Sequence, residues 1–108
     1  MWTAKKSIVL KYVTATVGDR VSLSCTTKLP TPVDWYYQQS EHEEAVVICW
    51  AGNIGNGYSR HFTILRKVQG DYSLIIPLVS RGDEGVYTCL EDAGHGLEHR
   101  VELTVHGK

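Results

Sequence analysis

Apolar and polar residues alternate along this chain with a period of two, and almost nowhere with the roughly 3.6-residue period of a helix, which restricts it to strands. Val21, Leu23 and Cys25 are separated by Ser22 and Ser24. Tyr72, Leu74 and Ile76 frame Ser73 and Ile75, and Gly85, Tyr87 and Cys89 frame Val86 and Thr88. Val101, Leu103 and Val105 frame Glu102 and Thr104. Each run has one face to bury and one to leave outside. Breakers separate the runs: Val17-Gly18-Asp19, Leu29-Pro30-Thr31-Pro32, Gly52 through Gly57, Gln69-Gly70-Asp71, Arg81-Gly82-Asp83 and Gly94-His95-Gly96. Many short strands with frequent turns in 108 residues describe a single all-β domain, an antiparallel sandwich or barrel.

The pattern predicts strands at about 7–17, 20–26, 33–39, 44–50, 61–66, 71–77, 85–91 and 98–106, with a short edge strand near 57–59. The domain is expected to span 7–106, with 1–6 as an N-terminal extension and 107–108 as a tail.

Composition narrows the function classes. Eleven Lys and Arg against twelve Asp and Glu leave a formal net charge of -1, so no basic excess exists to track phosphates, and nucleic acid is not an expected partner. No apolar run approaches about 18 residues, so no membrane contact is expected of the domain itself. The opening MWTAKKSIVL lacks a signal-like apolar region, and targeting segments are expected outside this sequence. G-x-S-x-G, H-E-x-x-H and Gly-rich phosphate loops do not occur, so neither enzyme activity nor a cofactor is expected. His42-Glu43-Glu44 looks metal-binding in isolation but falls in a turn with no helix to converge ligands, and no metal is expected. Asn-x-Ser/Thr does not occur either.

Three cysteines, Cys25, Cys49 and Cys89, leave one thiol over if two pair. Cys89 lies 64 residues after Cys25, too far for a local metal knuckle. Trp35 follows Cys25 by ten positions, and Asp83-Glu84-Gly85-Val86-Tyr87-Thr88-Cys89 leads into the last cysteine. Together these resemble an immunoglobulin domain of the variable (V-set) type. Val13 through Cys25 resembles the first framework of light-chain variable domains, and Trp35-Tyr36-Tyr37-Gln38-Gln39 resembles their strand C. The resemblance covers roughly 10–106, and the long Trp35-to-Cys89 interval leaves room for strands C′ and C″. The last strand, Glu98-His99-Arg100-Val101-Glu102-Leu103-Thr104-Val105, keeps L-T-V but lacks the F-G-x-G bulge of antigen receptors. The chain therefore resembles a variable-type innate immune receptor, such as the novel immune-type receptors of bony fish or the V-J-like molecules of lancelets.

The resemblance implies a β-sandwich of two antiparallel sheets with Greek-key connections. It implies a Cys25–Cys89 disulfide across the core, worth roughly 4 kcal/mol in the chain-entropy model, with Trp35 packed on it. It implies that the Tyr87 hydroxyl bonds the backbone of the turn before its strand, and that Arg60, or Arg66 in its place, pairs with Asp83. Alternation sends Tyr36, Gln38, Val47, Thr88 and Leu90 to the outer face of the sheet formed by the strands at 98–106 (G), 85–91 (F), 33–39 (C) and 44–50 (C′), with Cys49 beside them. The resemblance implies that this face makes dimers. Three loops share one end, near 27–32, 51–57 and 92–97, and Asn53, Asn56, Tyr58 and His95 are their candidate contact residues. The expected function is recognition by a cell-surface or secreted immune-type receptor, with a homodimer through the G-F-C-C′ face and a protein ligand as partners. The alternative is a structural or adhesive spacer in a multidomain surface protein.

Overall fold

A computed structural model of the chain describes residues 8–28, 32–40, 42–65 and 70–107. The expected 1–6 extension, part of the 27–32 loop, Arg66 and Lys108 lie outside the described residues. The strands are β1 (Ile8–Thr16), β2 (Val21–Leu23), β3 (Val33–Gln38), β4 (Val46–Trp50), β5 (Asn53–Ile54), β6 (Thr63–Leu65), β7 (Ser73–Ile76), β8 (Gly85–Glu91) and β9 (Glu98–His106). They form a six-stranded sheet, β1-β9-β8-β3-β4-β5, facing a three-stranded sheet, β2-β7-β6. Among the described residues there is no α-helix.

The alternation explains the layering. Val21 and Leu23 from the small sheet meet Trp35, Tyr87, Cys89, Val101, Leu103 and Val105 from the large one, all in one buried cluster. In β8 every second residue, Gly85, Tyr87, Cys89 and Glu91, is buried. β1 runs parallel to β9 along its whole length, from Ile8 opposite Glu98 to Thr16 opposite His106. All other strand pairs are antiparallel.

Two local departures matter for the site. The short edge strand lies at Asn53–Ile54, not near 57–59, where Asn56–Tyr58 form a 3₁₀ turn. Ala51 and Gly52 both have positive φ, 51° and 81°, and the two-residue connection they make folds β5 straight back on β4, as in tight hairpins. The Ala51 amide donates to Asp34 Oδ1 at 2.7 Å, which anchors this otherwise disfavoured turn. Second, Gly85 opens β8 at φ 149°, where a Cβ would sit 2.6 Å from the Gln38 carbonyl oxygen. This is the physical reason for glycine in the Asp83-Glu84-Gly85 sequence.

Candidate interaction face

The sandwich is pinned at its centre. Cys25 and Cys89 are bonded across the two sheets, with their Cα atoms 6.5 Å apart. Trp35 pairs with Cys89 on the neighbouring strand, is fully buried, and donates its indole N–H to the Tyr72 carbonyl at 2.8 Å. The Tyr87 hydroxyl donates to the Asp83 carbonyl at 2.6 Å, and its ring lies 4.8 Å from that of Tyr37. Burial, reinforced by Asp83 and Tyr37, pushes the Tyr87 phenol far above its ordinary range, so it stays a neutral donor.

Asp83 has a different partner from the expected one. Its carboxylate accepts from the Ser80 amide at 2.8 Å and lies 2.6 Å from His61 Nε2. Arg60 is exposed and forms no ion pair among the described residues. The turn decides this: the amides of His61 and Phe62 both donate to the Tyr58 carbonyl, and Phe62 is buried. Its ring meets the edge of His61 at 4.8 Å, and the imidazole is left facing the carboxylate while Arg60 projects outward.

The outer face of the six-stranded sheet can be read in rows from the strand register. The middle row is Leu10, Arg100, Thr88, Tyr36 and Val47, running from β1 to β4. On one side lie Ile8, Glu98, Leu90 and Asp34, and on the other Tyr12, Glu102, Val86 and Gln38. Tyr36, Gln38, Thr88 and Leu90 are half-buried and Val47 is 42% exposed. Burial, then the Asp34 carboxylate, raise the Tyr36 hydroxyl above its usual pKa. The Gln38 amide turns back to donate to the Glu43 carbonyl at 2.8 Å. Arg100 pairs with Glu98 at 2.7 Å.

Sequence reasoning missed two parts of this face. Trp50 follows Cys49 on β4 and is 63% exposed. On β1, Ile8, Leu10 and Tyr12 form an exposed apolar stripe at the sheet edge. Their spacing of two was the available signal.

Cys49 does not join the face. The register between β3 and β4 slips, so Trp35 pairs with Cys49 while Tyr36 pairs with Val47. This bulge places one extra residue, Ile48, between the two pairs, and both Ile48 and Cys49 are fully buried. Cys49 remains a thiol inside the core, with its Sγ 3.9 Å from the Val33 carbonyl.

The loop residues divide. Asn53, Asn56 and His95 are exposed. Tyr58 instead packs against the core, its ring 6.2 Å from Phe62, and is not a loop-tip residue. Beneath this end lies a polar cluster that the sequence reading did not single out. Glu91 Oε2 lies 2.5 Å from His99 Nε2, and Glu91 Oε1 accepts from the Thr27 hydroxyl at 2.6 Å. Glu91 and His99 are both buried, and the cluster ties the end of β8 to β9 and to the chain leaving β2. The same alternation that put Cys89 and Val101 inside puts Glu91 and His99 there too.

These features define an immunoglobulin-type sandwich with its disulfide, core tryptophan and tyrosine corner in place. The immunoglobulin V-set domain model matches residues 9–106, and the chain belongs to that family. Among solved structures, 1849 chains match, so the fold by itself selects no function. One of them, the crystal structure of the ZIG-8 IG1 homodimer, shares a TM-score of 0.75 at 14% identity, covering 93% of this chain and 82% of that one. No curated protein matches.

Proposed function

We propose that this domain is a recognition module of a cell-surface or secreted immune-type receptor, working by protein–protein contact through the outer face of the six-stranded sheet. It self-associates there as a symmetric dimer. The observation that carries the reading is the cluster of Tyr36, Leu90, Val47 and Trp50 on one open face, with Val47 and Trp50 strongly exposed and a polar rim of Gln38 and Asn53. An aromatic and aliphatic centre with a polar rim is the composition of contact surfaces. The ZIG-8 IG1 domain, similar in fold, is described as a homodimer, which is consistent with this use of the sandwich. A net charge of -1 opposes association little. The disulfide supports an oxidising, extracellular setting. Asn53, Asn56 and His95 offer a second, polar contact set for a protein ligand at the loop end.

Light scattering over a concentration series tests the reading. The wild type should approach twice 12.1 kDa, and Tyr36→Ala combined with Leu90→Asp should return it to a folded monomer. A wild type that stays monomeric at high concentration ends the self-association claim, and an inert monomer that binds no other chain would be the spacer.

A further inference from the structure

We infer that the two-fold axis of this dimer runs along β8, so that β1 of one copy lies across β4 of its partner and Arg100 covers the partner's Tyr36. The inference rests on the dimer reading above and adds to it a strand, β1, and a pairing scheme.

The sequence of the middle row carries the argument. From β1 to β4 it reads Leu10, Arg100, Thr88, Tyr36 and Val47, with Thr88 at its centre. Reflection across Thr88 sets apolar Leu10 on the partner's Val47, the Arg100 guanidinium on the partner's Tyr36, and Thr88 on itself. An aliphatic pair, a cation–aromatic pair and a hydroxyl pair result, each one compatible. The flanking row behaves in the same way: Glu102 falls on the partner's Gln38, a carboxylate on an amide, and Val86 falls on itself. In the other flanking row Leu90 meets itself, while Ile8 moves towards the partner's Trp50. Glu98 falls on the partner's Asp34 there, an unfavourable like-charge contact that the Arg100 partner of Glu98 offsets in part. An axis along β9 would instead set Leu10 on the partner's Thr88 and leave Tyr36 and Val47 with no facing residue in the row.

Area points the same way. Strands about 4.8 Å apart and averaging seven residues present about 440 Å² of flat sheet with four strands and about 550 Å² with five. Side-chain relief raises both, and the fifth strand brings the face towards the roughly 800 Å² per partner that stable interfaces use. β1 could in principle pair edge to edge instead. Lys11, exposed in the middle of that edge strand and pointing to the opposite side from Leu10, guards it, because charges on edge strands resist strand addition. The stripe of Ile8, Leu10 and Tyr12 is thus left for face-on contact, where Tyr12 alone is 72% exposed.

Cysteine cross-linking tests the scheme. Leu10 and Val47 lie four strands apart, about 19 Å within one copy, well beyond the roughly 7 Å a disulfide spans. A mixture of L10C and V47C should therefore give a reducible dimer on oxidation, and neither variant alone should. T88C alone should cross-link on the axis. Cross-linking by T88C without cross-linking in the mixture overturns the pairing scheme and leaves the dimer face standing. No cross-link in any sample, with monomer by light scattering, overturns the dimer reading itself. Leu10→Asp is an independent check: it should weaken dimerisation at least tenfold with an unchanged unfolding midpoint, and unchanged dimerisation would overturn the role of β1.

Discussion

Replacing His99 by alanine should destabilise the domain far more than its single hydrogen bond suggests. His99 and Glu91 side chains are 10% and 5% exposed, so the carboxylate has little water to turn to once the imidazole is gone. It would keep only the Thr27 hydroxyl. Removing one partner of a buried polar pair costs about 3 kcal/mol or more, a large fraction of a total stability of about 5–15 kcal/mol. With a urea m-value near ~1.5 kcal/mol/M for a chain of this size, the midpoint should fall by about 2 M. Urea denaturation followed by tryptophan fluorescence under non-reducing conditions measures this. Glu91→Leu combined with His99→Leu should recover more than half of the loss, because no buried polar group is then left without its partner. A cost below about 1 kcal/mol for His99→Ala, or a double variant as unstable as the sum of the singles, would refute the claim that these groups act as a buried, mutually dependent pair.

Four further outcomes are expected. Tyr87→Phe should cost about 1 kcal/mol, read from the thermal midpoint, by leaving the Asp83 carbonyl without its donor. Tyr36, Tyr37 and Tyr87 all have raised pKa values in the folded state, so their stabilisation is present below the ordinary phenol value near 10 and is lost as pH rises through the folded values; stability should decline in alkali, with a fraction of the tyrosinate absorbance appearing only on unfolding. Ala51→Gly should stabilise by about 1 kcal/mol in denaturant titration, because φ 51° suits glycine, whereas Asp34→Ala should destabilise by a similar amount through loss of the Ala51 amide bond. Cys49 should resist thiol reagents in the folded protein and react only on unfolding, and reductant should not dissociate dimers through it.

The strands β8 and β9 were legible to the residue, because unbroken alternation runs between glycine-rich turns at both ends of the hairpin. The disulfide, Trp35 and Tyr87 were legible for a different reason: their spacing resembles one family, and the geometry fills it. Alternation failed where it was interrupted. The bulge at Ile48 turned Cys49 inward, and a period-two reading has no means to detect an inserted residue from one strand alone. The edge strand was misplaced because the signal there is not side-chain pattern but the Ala51-Gly52 hairpin, whose positive φ at alanine depends on Asp34 seventeen residues away. The resemblance to the V-set pattern implies Arg60 as the partner of Asp83, and the Tyr58–Phe62 turn gives the place to its neighbour His61. Glu91 and His99 obey the alternation too, but His99 faces Cys89 across the hairpin and Glu91 lies two residues further along β8, a diagonal contact that period two does not reveal.

The central claim is that the outer face of the six-stranded sheet is where this domain meets a second copy. Amide resonances recorded over a dilution series test it most directly. Concentration-dependent shifts should cluster on Leu10, Arg100, Thr88, Leu90, Tyr36 and Val47 and leave β2, β7 and β6 unchanged. Shifts confined to the small sheet, or none at all up to high concentration, would contradict the account.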